Sequence, residues 1–455
     1  MRIFNLFVIS LGLGLVSATH AEAQTVSNIA VLKGLSPLTV LGKSANGKAA
    51  LSSNYAVTGG IQTGDIRQAT LLPFTEQQQQ ALRDAFITDG NLAQLADGLG
   101  TTLGGAYVAR AHYQDREHFT NVSQAVADLI AYTNATTAPD SNSGKYFFAN
   151  TTTDGKNPVS AEALEILQKI GGSVDVFGTN YGRPAGSPGA DAFGDSRPFQ
   201  TQPQTLAIIG RDYLGVPANN TVYNRGPVMN LTDSPSFPSG HTTYGYMGSI
   251  LLAVLVPQRY PQMITRASEY GNDRILMGAH YAMDVLAGRT LATYDLAHLL
   301  ANDSAYTGQT LKNAPVIKDY QAAVKTAQAE LTEALKAGCG AEIRSCAHDD
   351  TSRFSDPAIN QSAYDATQTY GLPVVYPENF GVKEDVNKLA PEAGYLLTTA
   401  FPSLTLEEAN QILTATEGPG GGFLDNGSSF GVYSRLNLYA ASLAAMELSE
   451  RKKVQ

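Results

Sequence analysis

The chain contains FPSGH at residues 237–241 and RILMGAHYAMD at residues 274–284. These stretches place two histidines, His241 and His280, with an arginine, a serine and a carboxylate, and each leads into an apolar segment typical of a helix. Such a set is suited to phosphoryl transfer through a covalent intermediate. One imidazole attacks phosphorus, a carboxylate orients it, the second imidazole protonates the leaving oxygen, and arginines bind the equatorial oxygens.

The spacing within the second stretch is Arg, five residues, His, three residues, Asp. Since positions i and i+4 share a helix face, it predicts that Asp284 contacts His280 and fixes its tautomer. Taken alone, Pro-Ser-Gly-His could be a capped turn into a helix, and His280 could be a core histidine satisfied by a carboxylate. The order and spacing of both stretches together favour a shared site.

The two stretches resemble the type-2 phosphatidic acid phosphatase superfamily, which includes bacterial class A acid phosphatases and vanadium haloperoxidases. Its pattern reads Lys, six residues, Arg-Pro; then Pro-Ser-Gly-His; then Ser-Arg, five residues, His, three residues, Asp. The second part is complete here, and the third differs only in Asp273, which replaces the serine. The first part has Arg197-Pro198 but Ala190 at the lysine position. A second Arg-Pro, at Arg183, also lacks the lysine and could supply the missing charge in space.

The resemblance implies an acid phosphatase that hydrolyses small phosphomonoesters, with His280 as nucleophile, His241 as general acid and Asp284 as the partner of His280. It implies that the phosphate is bound by Arg197, Arg274, Ser239 and the Gly240 amide, with Arg183 as a further candidate. No metal or other cofactor is expected. Two alternatives stay open: a vanadium haloperoxidase that holds vanadate in the same pocket on His280, and a phosphate-binding module without catalysis.

The N-terminus predicts export. Arg2 precedes a short apolar run from Leu6 to Ala18, and Ala21-Glu22-Ala23 is a small-x-small cleavage site, so residues 1–23 are predicted to be a signal peptide. The mature protein is expected to be periplasmic or secreted. No other segment is long and apolar enough to predict a membrane span.

Cys339 and Cys346 are the two cysteines of the chain. In an oxidising compartment such a close pair predicts a local disulfide. Zinc binding is the alternative, but with only His348 nearby the ligand set is incomplete. The net charge of −10 argues against general nucleic-acid binding, which needs a basic face. The sequence predicts no oligomeric state.

The hydrophobic pattern predicts an all-α fold: a helical bundle core with long Gly/Pro-rich loops and a C-terminal accessory region. Residues 24–310 are predicted to form the catalytic domain and residues 311–455 the accessory region. The predicted helices are Thr75–Leu99, Val122–Tyr132, Ala161–Ile170, His241–Val256, His280–Leu300, Val316–Lys336, Glu407–Thr414 and Leu436–Leu448. The predicted loops are chiefly Asn134–Pro158, Gly171–Gln202 and Gly418–Gly431.

Overall fold

The computed structural model describes residues 28–66, 71–86, 90–150, 160–172, 174–205 and 208–454. Helices dominate these residues, which confirms the predicted all-α class. The predicted signal peptide lies outside the described residues. The helices before the first motif arginine are α1 Ile29–Leu35, α2 Ala45–Thr63, α3 Phe74–Asp84, α4 Thr101–Val108, α5 Gln124–Asn150, α6 Ala161–Ile170 and α7 Phe177–Asn180, with 3-10 turns at Ser36–Lys43 and Ala93–Leu99.

The middle of the chain holds both motif stretches. Its elements are α8 Pro198–Thr201, a 3-10 turn at Pro203–Thr205, strands β1 Ile209–Arg211 and β2 Pro217–Asn219, α9 Asn220–Asn224, α10 Gly240–Leu255, a 3-10 turn at Pro257–Arg259, α11 Tyr260–Leu276 and α12 Ala282–Leu300. The two strands pair antiparallel, with Gly210 opposite Ala218. This small sheet was not predicted, because neither strand is long enough to show an alternating pattern.

The C-terminal part is also helical. It contains α13 Tyr320–Cys339, α14 Ile343–His348, α15 Pro357–Thr369, α16 Val386–Leu389, a 3-10 turn at Pro391–Gly394, α17 Tyr395–Thr398, α18 Leu406–Thr416, α19 Ser429–Tyr433 and α20 Leu438–Val454. A disulfide joins Cys339 to Cys346, as the sequence predicts. Helices α15 and α20 pack on α11, and α19 packs on α12, so the region after residue 311 shares the hydrophobic core of the helices that carry the motif stretches.

Helices α10, α11 and α12 form the centre of the bundle, and nearly all of their residues are buried. A Cβ atom on Gly288 of α12 would lie 2.6 Å from the carbonyl oxygen of Ser239. Only a glycine therefore allows α12 to approach the N-terminus of α10 this closely. This contact brings the two motif stretches together. No helix in the described ranges is both long and apolar enough to cross a bilayer.

Helix α5 is the largest departure from the sequence-based expectation. The predicted loop from Asn134 is wrong up to Asn150, because the helix continues through Pro139 and Gly144. Its stability comes from packing against α1, α10, α12 and α13, which local composition does not reveal. The predicted helix over Thr75–Leu99 is confirmed only as far as Asp84, where α3 ends. Further on, Asn91 starts a turn by accepting the amide of Ala93 at 2.8 Å, and Ala93–Leu99 is a 3-10 turn.

A buried pair of acids holds α5 against α12. The side chains of Asp140 on α5 and Asp295 on α12 are hydrogen-bonded to each other. Tyr306 donates to Asp140 Oδ2 at 2.7 Å, and Asn28 donates to the same oxygen at 3.0 Å. Burial raises the pKa of Asp295 well above its ordinary value, because the interior disfavours the carboxylate. The pair therefore keeps a proton where two exposed carboxyls would both be charged.

Candidate active site

The first motif stretch forms the N-terminus of α10. Ser239 is the N-cap residue, and its Oγ accepts the amide of Thr242 at 3.1 Å. Because this hydroxyl acts as acceptor, its proton stays available to a second partner. The amides of Gly240 and His241 have no intrahelical acceptor at this end of the helix. The helix start can therefore supply two backbone donors and a hydroxyl to an anion.

The second motif stretch turns from α11 into α12. His280 lies on the connection before α12, whose N-cap is Tyr281, so the predicted helix from His280 begins two residues too early. Asp284 still reaches the histidine, and its Oδ2 lies 3.4 Å from His280 Nδ1. That oxygen also accepts the amide of Tyr281 at 2.8 Å and the hydroxyl of Ser236. The predicted contact is present, although helix i,i+4 geometry does not create it.

Side chains of α2 fix the start of α12. Thr58 Oγ1 accepts the amide of Ala282 at 3.2 Å, and Asn54 Oδ1 accepts the amide of Met283 at 3.0 Å. These two bonds satisfy backbone donors that the first turn of a helix leaves open. The turn that carries His280 is therefore held by the N-terminal part of the chain as well as by its own motif.

Arg197 binds the same turn from the other side. It precedes α8 and is fully buried. Its guanidinium donates to the carbonyls of Ser234, Pro235 and Ala279 at 2.7, 3.0 and 2.9 Å. Its Nη1 also lies 3.1 Å from His280 Nε2. Since arginine can only donate, Nε2 is the accepting nitrogen, and the ring proton sits on Nδ1, toward Asp284.

Arg274 has buried donors without a protein partner. Its side chain is 0% exposed, and its Nε, Nη1 and Nη2 atoms have no hydrogen-bond acceptor among the described residues. Its positive charge lowers the pKa of both His241 and His280, which places it beside the two imidazoles. Buried polar groups in folded proteins nearly always have partners, so this guanidinium fits an anionic ligand.

Asp195 positions the first motif stretch, whereas Asp273 is paired elsewhere. Asp195 adopts a left-handed backbone conformation with φ 63°. Its carboxylate accepts the amide of Phe237 at 2.7 Å, and its carbonyl accepts the amide of Ser236 at 2.9 Å. Asp273, which replaces the motif serine, is hydrogen-bonded to Asp84 instead of facing the histidines. Sequence reasoning missed Asp195, although it directly precedes Ser196-Arg197-Pro198.

The third cation of the site is Lys145 of α5, which sequence reasoning did not identify. Burial and the charge of Arg197 lower the pKa of Lys145 to about 7. Lys145, Arg197 and Arg274 are the three cations that lower the pKa of His241 and His280, in each case after the larger effect of burial. We call these three residues the cation cluster. Both imidazoles are therefore neutral in the absence of an anion.

Arg183 is not part of the cation cluster. Its Nη1 donates to the carbonyl of Pro188 at 3.2 Å, within its own loop. Arg183 is also absent from the charges that act on the pKa of His241 and His280. The structure therefore brings together His280, His241, Asp284, Arg197, Arg274, Ser239 and Gly240, but leaves Arg183 aside.

An open cavity of about 830 Å³ leads to the site. Its floor contains Lys145, Gly240 and His241, and its wall is formed largely by α5. His280 lies one layer deeper, with its ring centre 6.2 Å from that of His241. Within the described ranges, no group of three His, Cys, Asp or Glu side chains has the geometry to hold a metal ion.

Comparison with known proteins gives a match over the same part of the chain. The family model described as the PAP2 superfamily matches residues 190–302. The non-specific acid phosphatase of Salmonella typhimurium is 38% identical over 69 residues, which are 15% of this chain and 28% of that protein. The acid phosphatase of Zymomonas mobilis is 41% identical over 64 residues, which are 14% of this chain and 24% of that protein. The non-specific acid phosphatase of Providencia stuartii is 33% identical over 72 residues, which are 16% of this chain and 29% of that protein. The chain thus spans less than a third of the length of these relatives.

Proposed function

We propose that this chain, whose residues 190–302 match the PAP2 superfamily, is an exported acid phosphatase that hydrolyses phosphomonoesters. The observation that carries the proposal is the orientation of His280. One ring nitrogen faces Asp284 and the other faces Arg197, beside a second guanidinium that has no acceptor in the described part of the chain. Nε2 of this neutral imidazole carries the lone pair that attacks phosphorus, and that lone pair is released when Arg197 Nη1 donates to the bound anion instead.

The reaction proceeds in two steps. In the first, His280 Nε2 forms a bond to phosphorus while the bond to the ester oxygen breaks, and His241 gives its proton to the leaving alkoxide. Asp284 stabilises the positive charge that develops on the ring of His280. In the second step, water gives a proton to His241 and attacks phosphorus, and the nitrogen–phosphorus bond breaks. Inorganic phosphate is released and both histidines return to their starting forms.

The general acid needs a proton before the first step. Burial, Arg274, Lys145 and Arg197 hold the pKa of His241 well below its usual range. A bound phosphate carries negative charge into the cation cluster, which offsets those cations and raises the pKa of His241. Protonation is easiest at low pH, so we expect activity to be highest on the acidic side of neutrality.

The proposed export rests on the signal peptide predicted for residues 1–23 and agrees with the disulfide, since disulfides persist in oxidising compartments. The relatives named as acid phosphatases favour hydrolysis over the haloperoxidase alternative.

The test is a paired assay of the purified protein. We expect phosphate release from an aryl phosphate at acid pH, competitive inhibition by orthovanadate, and an acid-labile phosphoprotein on rapid quenching that His280→Ala abolishes. His348→Ala is the control, because this histidine is 87% exposed. Halide oxidation with vanadate and peroxide, without phosphate release, would establish the haloperoxidase instead. Phosphate binding without either activity would establish a binding module.

A further inference from the structure

Helix α5 contributes two hydrogen-bond donors, Ser141 and Lys145, to the lining of the cavity. Ser141 and Lys145 are spaced i,i+4 and so lie on the same face of the helix. Between them, Gly144 allows α5 to pack close to the first motif stretch. A Cβ atom on Gly144 would lie 2.8 Å from Leu35 Cδ1 and 3.4 Å from Pro238 Cδ. This close packing brings Ser141 and Lys145 to the start of α10.

Both donors are buried, and neither has a protein partner among the described residues. Ser141 is 4% exposed and its Oγ has no hydrogen bond to them, while Lys145 is 8% exposed. In the part of the chain that the structure describes, no hydrogen bond or ion pair involves Lys145 Nζ. A lysine ammonium has three donors and is rarely buried unless it is paired. Both side chains line the cavity that leads to His241.

Gly240 leaves room beside these donors. The point at which a Cβ atom on Gly240 would lie is 3.1 Å from Ser141 Oγ and 4.0 Å from Lys145 Nζ. Because glycine has no Cβ, the space between α5 and the N-terminus of α10 stays open. The Gly240 amide faces the same region from the positive end of the helix dipole.

We infer that Ser141 and Lys145 bind an oxygen of the transferring phosphoryl group and that Lys145 replaces the lysine that the motif lacks at Ala190. This inference rests on the proposed function. Helix α5 lies outside residues 190–302, so part of the phosphate site comes from a segment that the family match does not include. The ammonium adds a third cation to Arg197 and Arg274, and the serine hydroxyl adds a neutral donor.

The protonation of Lys145 gives this inference a pH signature. The pKa of about 7 means that the ammonium is charged at acid pH and neutral at alkaline pH in the free enzyme. Arg197 and Arg274 face it from the other elements and disfavour its charge, whereas Asp195 and Asp284 favour it; the imidazoles of His241 and His280 are neutral. We therefore expect kcat/KM to fall above about pH 7, partly because Lys145 loses its proton.

The experiment compares Lys145→Met with Lys145→Arg and Ser141→Ala in the full-length protein. Phosphate binding is measured as the rise in unfolding temperature that inorganic phosphate causes, which requires no turnover. Lys145→Met should lose most of this rise and lower kcat/KM by about a hundredfold. Lys145→Arg keeps its charge at every pH of the assay, so it should retain phosphate binding and move the alkaline fall in kcat/KM to higher pH. Ser141→Ala should weaken phosphate binding about tenfold, as expected for one neutral donor.

Two controls separate the outcomes. Lys325→Met removes an exposed lysine from α13, which packs against α5. Arg183→Ala removes the other candidate for the missing charge. Both variants should behave like the wild type. If Lys145→Met binds phosphate and turns over like the wild type, or if Arg183→Ala alone shows the loss, the inference is wrong and the proposed function stands. If the wild type binds phosphate through Lys145 but hydrolyses no phosphomonoester, the proposed function fails and only the phosphate-binding role of Lys145 stands.

Discussion

Removing the Arg274 guanidinium should make the protein more stable and less active. This arginine is fully buried, and none of its three nitrogens has an acceptor among the described residues. A buried donor without a partner costs about 1–3 kcal/mol, and more when it carries a charge. Arg274→Met fills the space with an apolar chain of similar length, so we expect the free energy of unfolding to rise by about 1–3 kcal/mol. We expect kcat/KM to fall by about a hundredfold or more, because a charged donor to the transition state is lost.

Arg266 provides a matched control on the same helix. It is equally buried, but its guanidinium donates to Asp84 at 2.6 and 2.7 Å and to Asp97 at 2.7 Å. Arg266→Met would leave the buried Asp84 carboxylate without this partner, while Asp97 keeps Arg353 at 2.6 Å. We expect the free energy of unfolding to fall by about 3–5 kcal/mol. Two substitutions of the same chemical type, two turns apart on α11, should therefore change stability in opposite directions.

The assay is urea unfolding followed by circular dichroism, first in a buffer without phosphate and then with saturating inorganic phosphate. In the wild type, phosphate at a hundred times its Kd should add about 2.7 kcal/mol, because it binds only the folded state. Arg274→Met should lose most of this gain. If Arg274→Met is destabilised as strongly as Arg266→Met in the absence of phosphate, the guanidinium has a structural partner and the reasoning fails.

Two further predictions follow from the geometry. Asp284→Asn should lower kcat by about a hundredfold or more with little change in phosphate binding, because an amide facing Nδ1 favours a proton on the attacking nitrogen of His280. Asp303→Asn is the control, since Asp303 pairs with His298 in the same way. An unchanged kcat in Asp284→Asn would contradict this role of Asp284. Replacing Cys339 and Cys346 by serine should lower the free energy of unfolding by about 2 kcal/mol and leave kcat/KM unchanged, because the disulfide closes a short loop at the end of α13. Two titratable thiols in the denatured, unreduced wild type would show that the disulfide does not form.

The motif spacing predicted most of the residues that the structure brings together. Ser239, Gly240 and His241 begin a helix, as loop-to-helix signals indicate, and Asp284 contacts His280 as proposed. The predicted start of the second motif helix at His280 was less accurate, because α12 begins at Ala282. Tyr281 acts as the N-cap of α12, although its side chain is not a typical capping group, because Asn54 and Thr58 accept the first amides of the helix from α2. A tertiary cap of this kind leaves no local signal in the sequence.

Lys145 could not be predicted for a related reason. The segment after Asn134 contains Pro139, Gly144 and several small polar residues, and this composition is typical of a loop. The helix forms because its apolar side chains, such as Phe147 and Phe148, are buried against neighbouring elements. Near the Arg-Pro motif, the sequence offers Arg183 as the candidate for the missing charge. A buried lysine on a long helix becomes a candidate only when packing is known.

The buried pair of Asp140 and Asp295 makes the packing of α5 against α12 depend on pH. The folded state raises the pKa of Asp295 above 3.8, so the pair contributes most stability at low pH and loses it as the pH rises through the raised pKa. Once the shared proton is gone, two like charges repel across the contact between α5 and α12. Asp140 directly precedes Ser141, so this repulsion acts next to the donors proposed to hold phosphate. Low pH would thus act on this protein in two ways: it charges Lys145, and it stabilises the contact between α5, which carries Lys145, and α12.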